Sequence, residues 1–179
     1  SYKMELEKII PKSLIAVCFL FASSFSLFAQ QAISGNFNSN GQSRSYLGAV
    51  PNNPQAPLRL VILFCGVNEN ASQMALRGFD SVLGNNSMVV YPEPSSNQLG
   101  FDNVNGVDDF QMVEDLINTI DSIYSIDTSD ICVGGFSNGG IFTYNLACDF
   151  NAGNSNRPYK FKAIAVISGA MDSLSNNNT

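Results

Sequence analysis

The sequence predicts an α/β fold with a mostly parallel, doubly wound sheet. Four short apolar runs, rich in β-branched side chains, have the length of strands that are buried on both faces. Segments with helical spacing alternate with these runs, and this alternation predicts right-handed crossovers between parallel strands. The 179 residues, 45% apolar and 13% charged, are enough for one such domain.

The first elements are a β-hairpin over residues 32–51 and a buried strand, RLVILFCG (59–66). The hairpin turns at Asn40-Gly41, because both residues tolerate a positive φ. The strand is a continuous apolar run that stops at a glycine.

A helix and a second strand follow. Residues 71–84 carry apolar side chains at near-helical spacing and predict one helix that stops at Gly84. The next buried strand is MVVYP (88–92).

An amphipathic helix is predicted within residues 106–126. Its apolar residues are spaced 3, 4, 3 and 3 apart, at Phe110, Val113, Ile117, Ile120 and Ile123. Asp108 and Asp109 lie at its start, where a carboxylate caps free N–H groups, so we interpret both as structural.

A serine stands between the third strand, DICVGGF (130–136), and a helix, NGGIFTYNLACDF (138–150). The fourth strand is FKAIAVISGA (161–170). This pattern, a serine two residues from a glycine on each side at a strand–helix junction, is typical of a catalytic nucleophile.

The motif is Gly135-Phe136-Ser137-Asn138-Gly139. Glycines at these two positions let the chain reverse tightly without a side chain striking the adjacent strand or helix. The Asn138 N–H points to where an oxyanion would form. A glycine turn that serves packing alone is the alternative; a phosphate-binding loop is disfavoured, because no GxxxxGK[ST] pattern and no nearby basic residue occur.

A second loop is expected at the same edge of the sheet. The first strand ends at Cys65-Gly66, and the carboxyl edge of parallel strands is where such sheets bind ligands. A backbone N–H from this loop would complete a two-donor oxyanion hole, and Val67 is the candidate donor.

The order and spacing of six segments resemble those of secreted polyhydroxybutyrate-depolymerase-type esterases, which include feruloyl and acetyl-xylan esterases. The segments are SRSYLGAVP, LRLVILFCGVNENASQM, MVVYPE, GVDDFQMVEDLI, DICVGGFSNGGIFTYNLAC and FKAIAVISG. The resemblance implies an α/β-hydrolase fold, a Ser137 nucleophile, Val67 and Asn138 as oxyanion donors, and hydrolysis of a carboxylic ester through an acyl-enzyme.

The chain departs from that family in the first loop. Family members usually have histidine in place of Cys65, and glycines in place of Asn68 and Glu69. We expect the two replacements to alter the loop, and the Glu69 carboxylate to oppose a developing negative charge.

The partners of a catalytic serine are missing, because the chain has no histidine. In this fold the chain order is serine, then acid, then histidine. We therefore expect residues 30–179 to be the N-terminal part of one α/β-hydrolase domain, truncated before the last strands and without triad chemistry of its own. Asp172 is the single acid after the fourth strand, either the triad acid or a surface aspartate.

Residues 1–29 predict a secretory signal peptide with cleavage near Ala29. The alternative, a membrane anchor, needs about 20 apolar residues, more than the run before Ala29 provides. We expect a secreted or periplasmic protein without stable membrane association after cleavage.

Composition excludes other classes. The formal net charge is −6 and no Lys/Arg cluster occurs, so nucleic acid is not an expected partner. Without histidine or a CxxC pair, no metal or other cofactor is expected. Cys65, Cys132 and Cys148 are interpreted as buried packing residues, with a disulfide to a residue outside the chain as an alternative for Cys148.

Two functions remain open. The first is a secreted serine esterase whose substrate is a polyester or an esterified plant polysaccharide. The second is a non-catalytic protein of hydrolase-like fold that binds a glycan or a partner through residues 65–70.

Overall fold

Six strands form one mixed sheet in the computed structural model, which describes residues 30–95, 100–101 and 108–170. The strand order is β1-β2-β4-β3-β5-β6. The strands are β1 (Gln30–Ser39), β2 (Gln42–Pro51), β3 (Leu58–Phe64), β4 (Ser87–Pro92), β5 (Ile126–Phe136) and β6 (Phe161–Ile167). The helices are α1 (Ala71–Ala75), α2 (Asp109–Ile123) and α3 (Asn138–Asn151), with a short 3-10 helix at Phe79–Val82.

The predicted hairpin and parallel sheet are both confirmed. β1 and β2 pair antiparallel around a two-residue turn in which Asn40 and Gly41 have φ of 49° and 77°. β2 joins the sheet antiparallel to β4, whereas β4, β3, β5 and β6 run parallel. The carboxyl ends of β3 and β5 therefore lie side by side at one edge.

Helical segments cover both faces of the sheet. Phe64 on β3 is the lateral neighbour of Gly135 on β5, so the two residues face the same side. On that side Phe64 packs against Phe142 of α3, with 4.9 Å between ring centroids. Phe136 faces the opposite side. There its ring contacts the guanidinium of Arg77, a residue that follows α1. The sheet is thus doubly wound, as predicted.

The single helix predicted over residues 71–84 is wrong. α1 ends at Ala75, and Gly78 takes a left-handed conformation with φ of 74° before the 3-10 helix begins. A left-handed residue cannot continue an α-helix, and glycine adopts that conformation without steric cost. Leu76 and Val82, which the helical spacing assigned to an apolar face, are 85% and 78% exposed.

α2 confirms the predicted amphipathic helix, with its apolar face buried at Met112, Val113, Leu116, Ile117 and Ile120. Asp108 caps it, since its side chain accepts a hydrogen bond from the Gln111 N–H. Asp109 instead turns inward and forms a fully buried ion pair with Arg44 of β2, with 2.7 Å between Oδ1 and Nη1. Ile123, the last residue of α2, is 59% exposed despite its apolar spacing.

Residues 1–29, predicted as a signal peptide, and Asp172, the candidate acid, lie outside the described residues. Within the described part of the chain, no helix combines the length and apolarity needed to cross a membrane.

Candidate active site

Ser137 occupies the sharp junction between β5, which ends at Phe136, and α3, which begins at Asn138. Its φ of 52° and ψ of −116° lie in a region that residues with side chains rarely adopt. The backbone holds it there, because its N–H donates to the Ile167 carbonyl and its carbonyl accepts from the Gly140 and Ile141 N–H groups. Such strain, imposed on a half-buried serine, is common at functional sites.

The residues from Gly135 to Gly139, here called the serine turn, are packed backbone against backbone. A Cβ on Gly135 would overlap the Gly139 carbonyl, and a Cβ on Gly139 would overlap the Phe64 and Cys65 carbonyls at the end of β3. The structure therefore places Ser137 at a turn that tolerates no side chain at these two glycine positions.

The residues from Gly66 to Glu69, here called the glutamate turn, follow β3 at the same edge. The Glu69 N–H donates to the Gly66 carbonyl at 3.2 Å, and Asn68 has a positive φ of 59°. This is a four-residue turn whose third residue is left-handed, a place that suits glycine first and asparagine next. Asn68 therefore fits what the turn requires, although the resemblance implied a glycine at this position.

The glutamate turn and the serine turn each contain one of the two predicted oxyanion donors, Val67 and Asn138. Among the described residues, none accepts a hydrogen bond from the N–H of Val67 or of Asn138. The turns touch, since a Cβ on Gly66 would lie 3.2 Å from Cδ1 of Phe136, the residue before Ser137. Val67 is 49% exposed.

The Asn138 side chain has a separate role that the sequence did not indicate. Its Oδ1 accepts a hydrogen bond from the Phe101 N–H at 3.0 Å. Phe101 is itself buried against Phe64, with 5.0 Å between ring centroids. This bond ties the start of α3 to the segment that precedes α2.

Glu69 folds back into its own turn. Its Oε2 accepts a hydrogen bond from the Gly66 N–H at 2.9 Å, and its Oε1 pairs with Arg77 Nη2 at 2.7 Å. The Arg77 hydrogen bond, followed by the Gly66 N–H, holds the pKa of the Glu69 carboxyl below its usual range. Sequence reasoning identified Glu69 as a negative charge beside the site but missed Arg77.

The cysteines divide into three environments. Cys65 is fully buried, and burial, with a smaller effect of Glu93, raises the pKa of its thiol to about 12, so it packs rather than reacts. Cys132 is half-buried. Cys148 is exposed on α3, so the prediction of buried packing is wrong for this residue. All three are free thiols among the described residues.

No proton acceptor of the histidine type is present, since the chain contains no histidine. Asp172, the candidate acid, lies outside the described residues. Within residues 30–95, 100–101 and 108–170, no cluster of three or more potential metal ligands occurs. The described residues thus contain the serine predicted as nucleophile, but neither a histidine nor the candidate acid.

Comparison with known proteins gives the same fold. No protein-family model matches the chain. The chain is 30% identical over 147 residues to Feruloyl esterase D of Neurospora crassa, an alignment that covers 74% of this chain and 48% of that protein. The chain thus spans about half the length of this relative.

Two solved structures are similar at low identity. An S-formylglutathione hydrolase from Agrobacterium tumefaciens superposes with a TM-score of 0.64 and 16% identity, covering 79% of this chain and 59% of that one. A ferulic acid esterase superposes with a TM-score of 0.61 and 16% identity, covering 86% and 66%. The chain has the α/β-hydrolase fold.

Proposed function

We propose that the protein is a secreted serine esterase, in which Ser137 attacks the carbonyl carbon of a carboxylic ester. One observation carries the proposal: Ser137 has a positive φ at the sharp junction of β5 and α3, and the turn that carries Val67 packs against Phe136, the residue before it. The similarity to a feruloyl esterase supports an ester as substrate.

In the first step, Ser137 Oγ bonds to the carbonyl carbon while its proton passes to a general base. The carbonyl oxygen becomes an oxyanion, which the Val67 and Asn138 N–H groups would stabilise by hydrogen bonds. The C–O bond to the alcohol then breaks, the alcohol leaves with the proton, and an acyl-serine remains. Water attacks the acyl-serine in the same way and releases the acid. Because the chain has no histidine, the proposed base lies outside these 179 residues.

The test is hydrolysis of p-nitrophenyl acetate and methyl ferulate by the full-length protein. We expect Ser137→Ala to lower kcat by at least about 10⁴-fold, as loss of a catalytic nucleophile does. Ser168→Ala is the matched control, because Ser168 also follows a parallel strand and also has a positive φ, of 54°. Activity that survives Ser137→Ala would remove the nucleophile from the proposal.

Secretion is part of the proposal and rests on residues 1–29. Expression of the whole gene with its own N-terminus should export a protein that begins near Gln30. Intact mass and N-terminal sequencing of the exported protein check this, and a retained N-terminal segment would contradict it.

A non-catalytic glycan-binding function is the second candidate. A polar groove of about 370 Å³ between the hairpin and α1 favours it, because hydroxyl and amide side chains of Ser34, Asn36, Ser45, Asn70 and Ser72 line it. Calorimetric titration of xylo-oligosaccharides would decide: binding without Ser137-dependent hydrolysis supports this function, and hydrolysis supports the esterase.

A further inference from the structure

The glutamate turn places a negative charge beside the proposed oxyanion hole. Glu69 Oε2 is 2.9 Å from the Gly66 nitrogen, and Val67 is the next residue along the chain. Consecutive residues are about 3.8 Å apart, so the carboxylate oxygen lies within about 7 Å of the Val67 nitrogen. An uncompensated carboxylate there would repel the oxyanion that the N–H should bind.

Arg77 stands on the other side of this carboxylate. Its Nη2 pairs with Glu69 Oε1 at 2.7 Å, while Nη1 donates to the Gln73 carbonyl at 3.3 Å. Its guanidinium also lies 4.5 Å from the ring centroid of Phe136, the residue before Ser137. Glu69 and Arg77 side chains are only 23% and 29% exposed, so solvent screens the pair incompletely.

We infer that Arg77 is a positioning residue of the esterase site, which cancels the Glu69 charge and holds the glutamate turn against the serine turn. The inference rests on the proposed function, and it assigns the pair two effects. Glu69 fixes both peptides of Gly66: its carboxylate accepts from the Gly66 N–H, and its own N–H donates to the Gly66 carbonyl, which belongs to the same peptide as the Val67 N–H. Arg77 makes that arrangement electrostatically compatible with an oxyanion.

The effects of substituting Arg77 and Glu69 on kcat should therefore not be additive. Arg77→Met keeps most of the apolar stem but leaves the carboxylate unpaired beside the hole. We expect kcat to fall on the order of 30- to 100-fold, with KM changed less than about threefold, because the repulsion acts on the transition state. Glu69→Gln alone should cost only about threefold, since its amide oxygen still accepts from the Gly66 N–H.

The decisive variant combines the two changes. Arg77→Met/Glu69→Gln has no charge beside the hole, so kcat should recover to within about fivefold of wild type. Arg77→Lys should also keep most activity, since it retains a positive charge. If Arg77 only stabilised the fold, the second substitution would leave kcat as low as in Arg77→Met or lower it further.

The pH dependence gives a second readout. In Arg77→Met, lowering the pH protonates Glu69, so the ratio of its kcat to that of wild type should rise. The other titratable groups beside Glu69 are Cys65, whose pKa of about 12 keeps it neutral, and, next to Cys65, Glu93. Because wild type and variant share these groups and the general base, the ratio isolates Glu69.

Arg157→Met is the matched control. Arg157 also pairs with carboxylates, Asp149 and Glu114, and also stacks on a ring, that of Phe150. It lies near the far end of α3, about 20 Å from Ser137 at 1.5 Å per residue. Its loss should reduce stability but not kcat.

These kinetics separate the inference from the proposed function. If the wild-type protein shows no hydrolysis that depends on Ser137, the proposed function is overturned. If the wild-type protein shows such hydrolysis but the double variant is no more active than Arg77→Met, the inference alone is overturned. A Gly66 amide proton whose NMR shift is unchanged by Glu69→Ala, which removes the acceptor, would likewise overturn it, since the hydrogen bond between Gly66 and Glu69 would not exist.

Discussion

The serine turn and the glutamate turn end neighbouring strands but are held by different forces. In the serine turn, backbone atoms pack directly on one another, and the Arg77 guanidinium contacts the turn only at the ring of Phe136. In the glutamate turn, the carboxylate of Glu69 and the guanidinium of Arg77 hold a loop with a half-exposed Val67.

Because of this difference, the two turns should respond to different kinds of change. A turn held by backbone contacts cannot accept added volume, because main-chain atoms have no rotamer with which to move away. A turn held by charge accepts changes of volume at its surface but responds to pH, salt and the loss of a partner. One edge of the sheet thus combines a turn held by backbone contacts, which carries the proposed nucleophile, with a turn held by charge, which carries a proposed oxyanion donor.

The largest expected effect is in the serine turn. Gly135→Ala or Gly139→Ala should destabilise the protein by about 4 kcal/mol or more, because the new methyl group meets backbone carbonyls. Urea unfolding of the full-length protein measures this. Gly153→Ala is the control, since a Cβ there meets nothing within 4 Å, and it should change stability by less than about 0.5 kcal/mol. Equal stability of all three variants would show that the serine turn is not tightly packed.

The next largest effect concerns a buried ion pair, which is held by charge rather than by backbone packing. Asp109→Asn should cost about 3 kcal/mol, because it leaves the buried Arg44 guanidinium without its ion partner. Its neighbour gives the matched variant: Asp108→Ala removes only an exposed helix cap and should cost about 1 kcal/mol. Chemical denaturation distinguishes them, and equal losses would contradict the buried pair.

Arg44 also connects this pair to the start of α1, the helix that follows the glutamate turn. Its Nη2 donates to the Glu93 carbonyl, and the Glu93 carboxylate accepts from the Ala71 N–H at the start of α1. Asp109→Asn should therefore increase amide hydrogen exchange around residues 69–72 more than in the serine turn.

A smaller effect concerns pH. The pKa of Glu69 is lowered in the folded protein, so its contribution to stability is present above the unfolded value of 4.5 and is lost as the pH falls through the folded value. Wild type should exceed Glu69→Gln by about 1 kcal/mol or less at pH 7, and the two should converge in acid. Denaturation at pH 7, 5 and 3 checks this. A difference that stays constant with pH would mean that the charge of Glu69 is irrelevant to folding.

The sequence predicted those features of the fold that depend on the spacing of residues within a short segment. The hairpin turn, the four strands of the parallel sheet and the position of Ser137 at a strand–helix junction all follow from patterns a few residues long. The predicted burial is wrong for β6, which lies at the edge of the described sheet with most of its side chains exposed. The helix over residues 71–84 was mispredicted, because one glycine at position 78 overrides the apolar spacing around it.

The remaining features depend on contacts between distant segments. Arg44 and Asp109 are 65 residues apart, and the partner of Asn138, Phe101, is 37 residues away. Glu69 and Arg77 are only eight residues apart, yet their pairing depends on how the chain turns after α1 and on the ring of Phe136. Spacing along the chain carries no signal for such contacts, so the charge balance of the site emerges only in the folded protein.

The smallest effect tests the backbone of the glutamate turn. Asn68 has a φ of 59°, and asparagine and glycine tolerate this conformation better than alanine does. Asn68→Gly should therefore leave stability nearly unchanged, whereas Asn68→Ala should cost about 0.5–1 kcal/mol. Asn40→Gly and Asn40→Ala, at a φ of 49° in the hairpin turn, form the matched pair and should rank in the same order. If alanine is tolerated at position 68 but not at position 40, the glutamate turn relaxes its backbone while the hairpin does not. The charges of Glu69 and Arg77, rather than the left-handed residue, would then be what fixes the Val67 N–H.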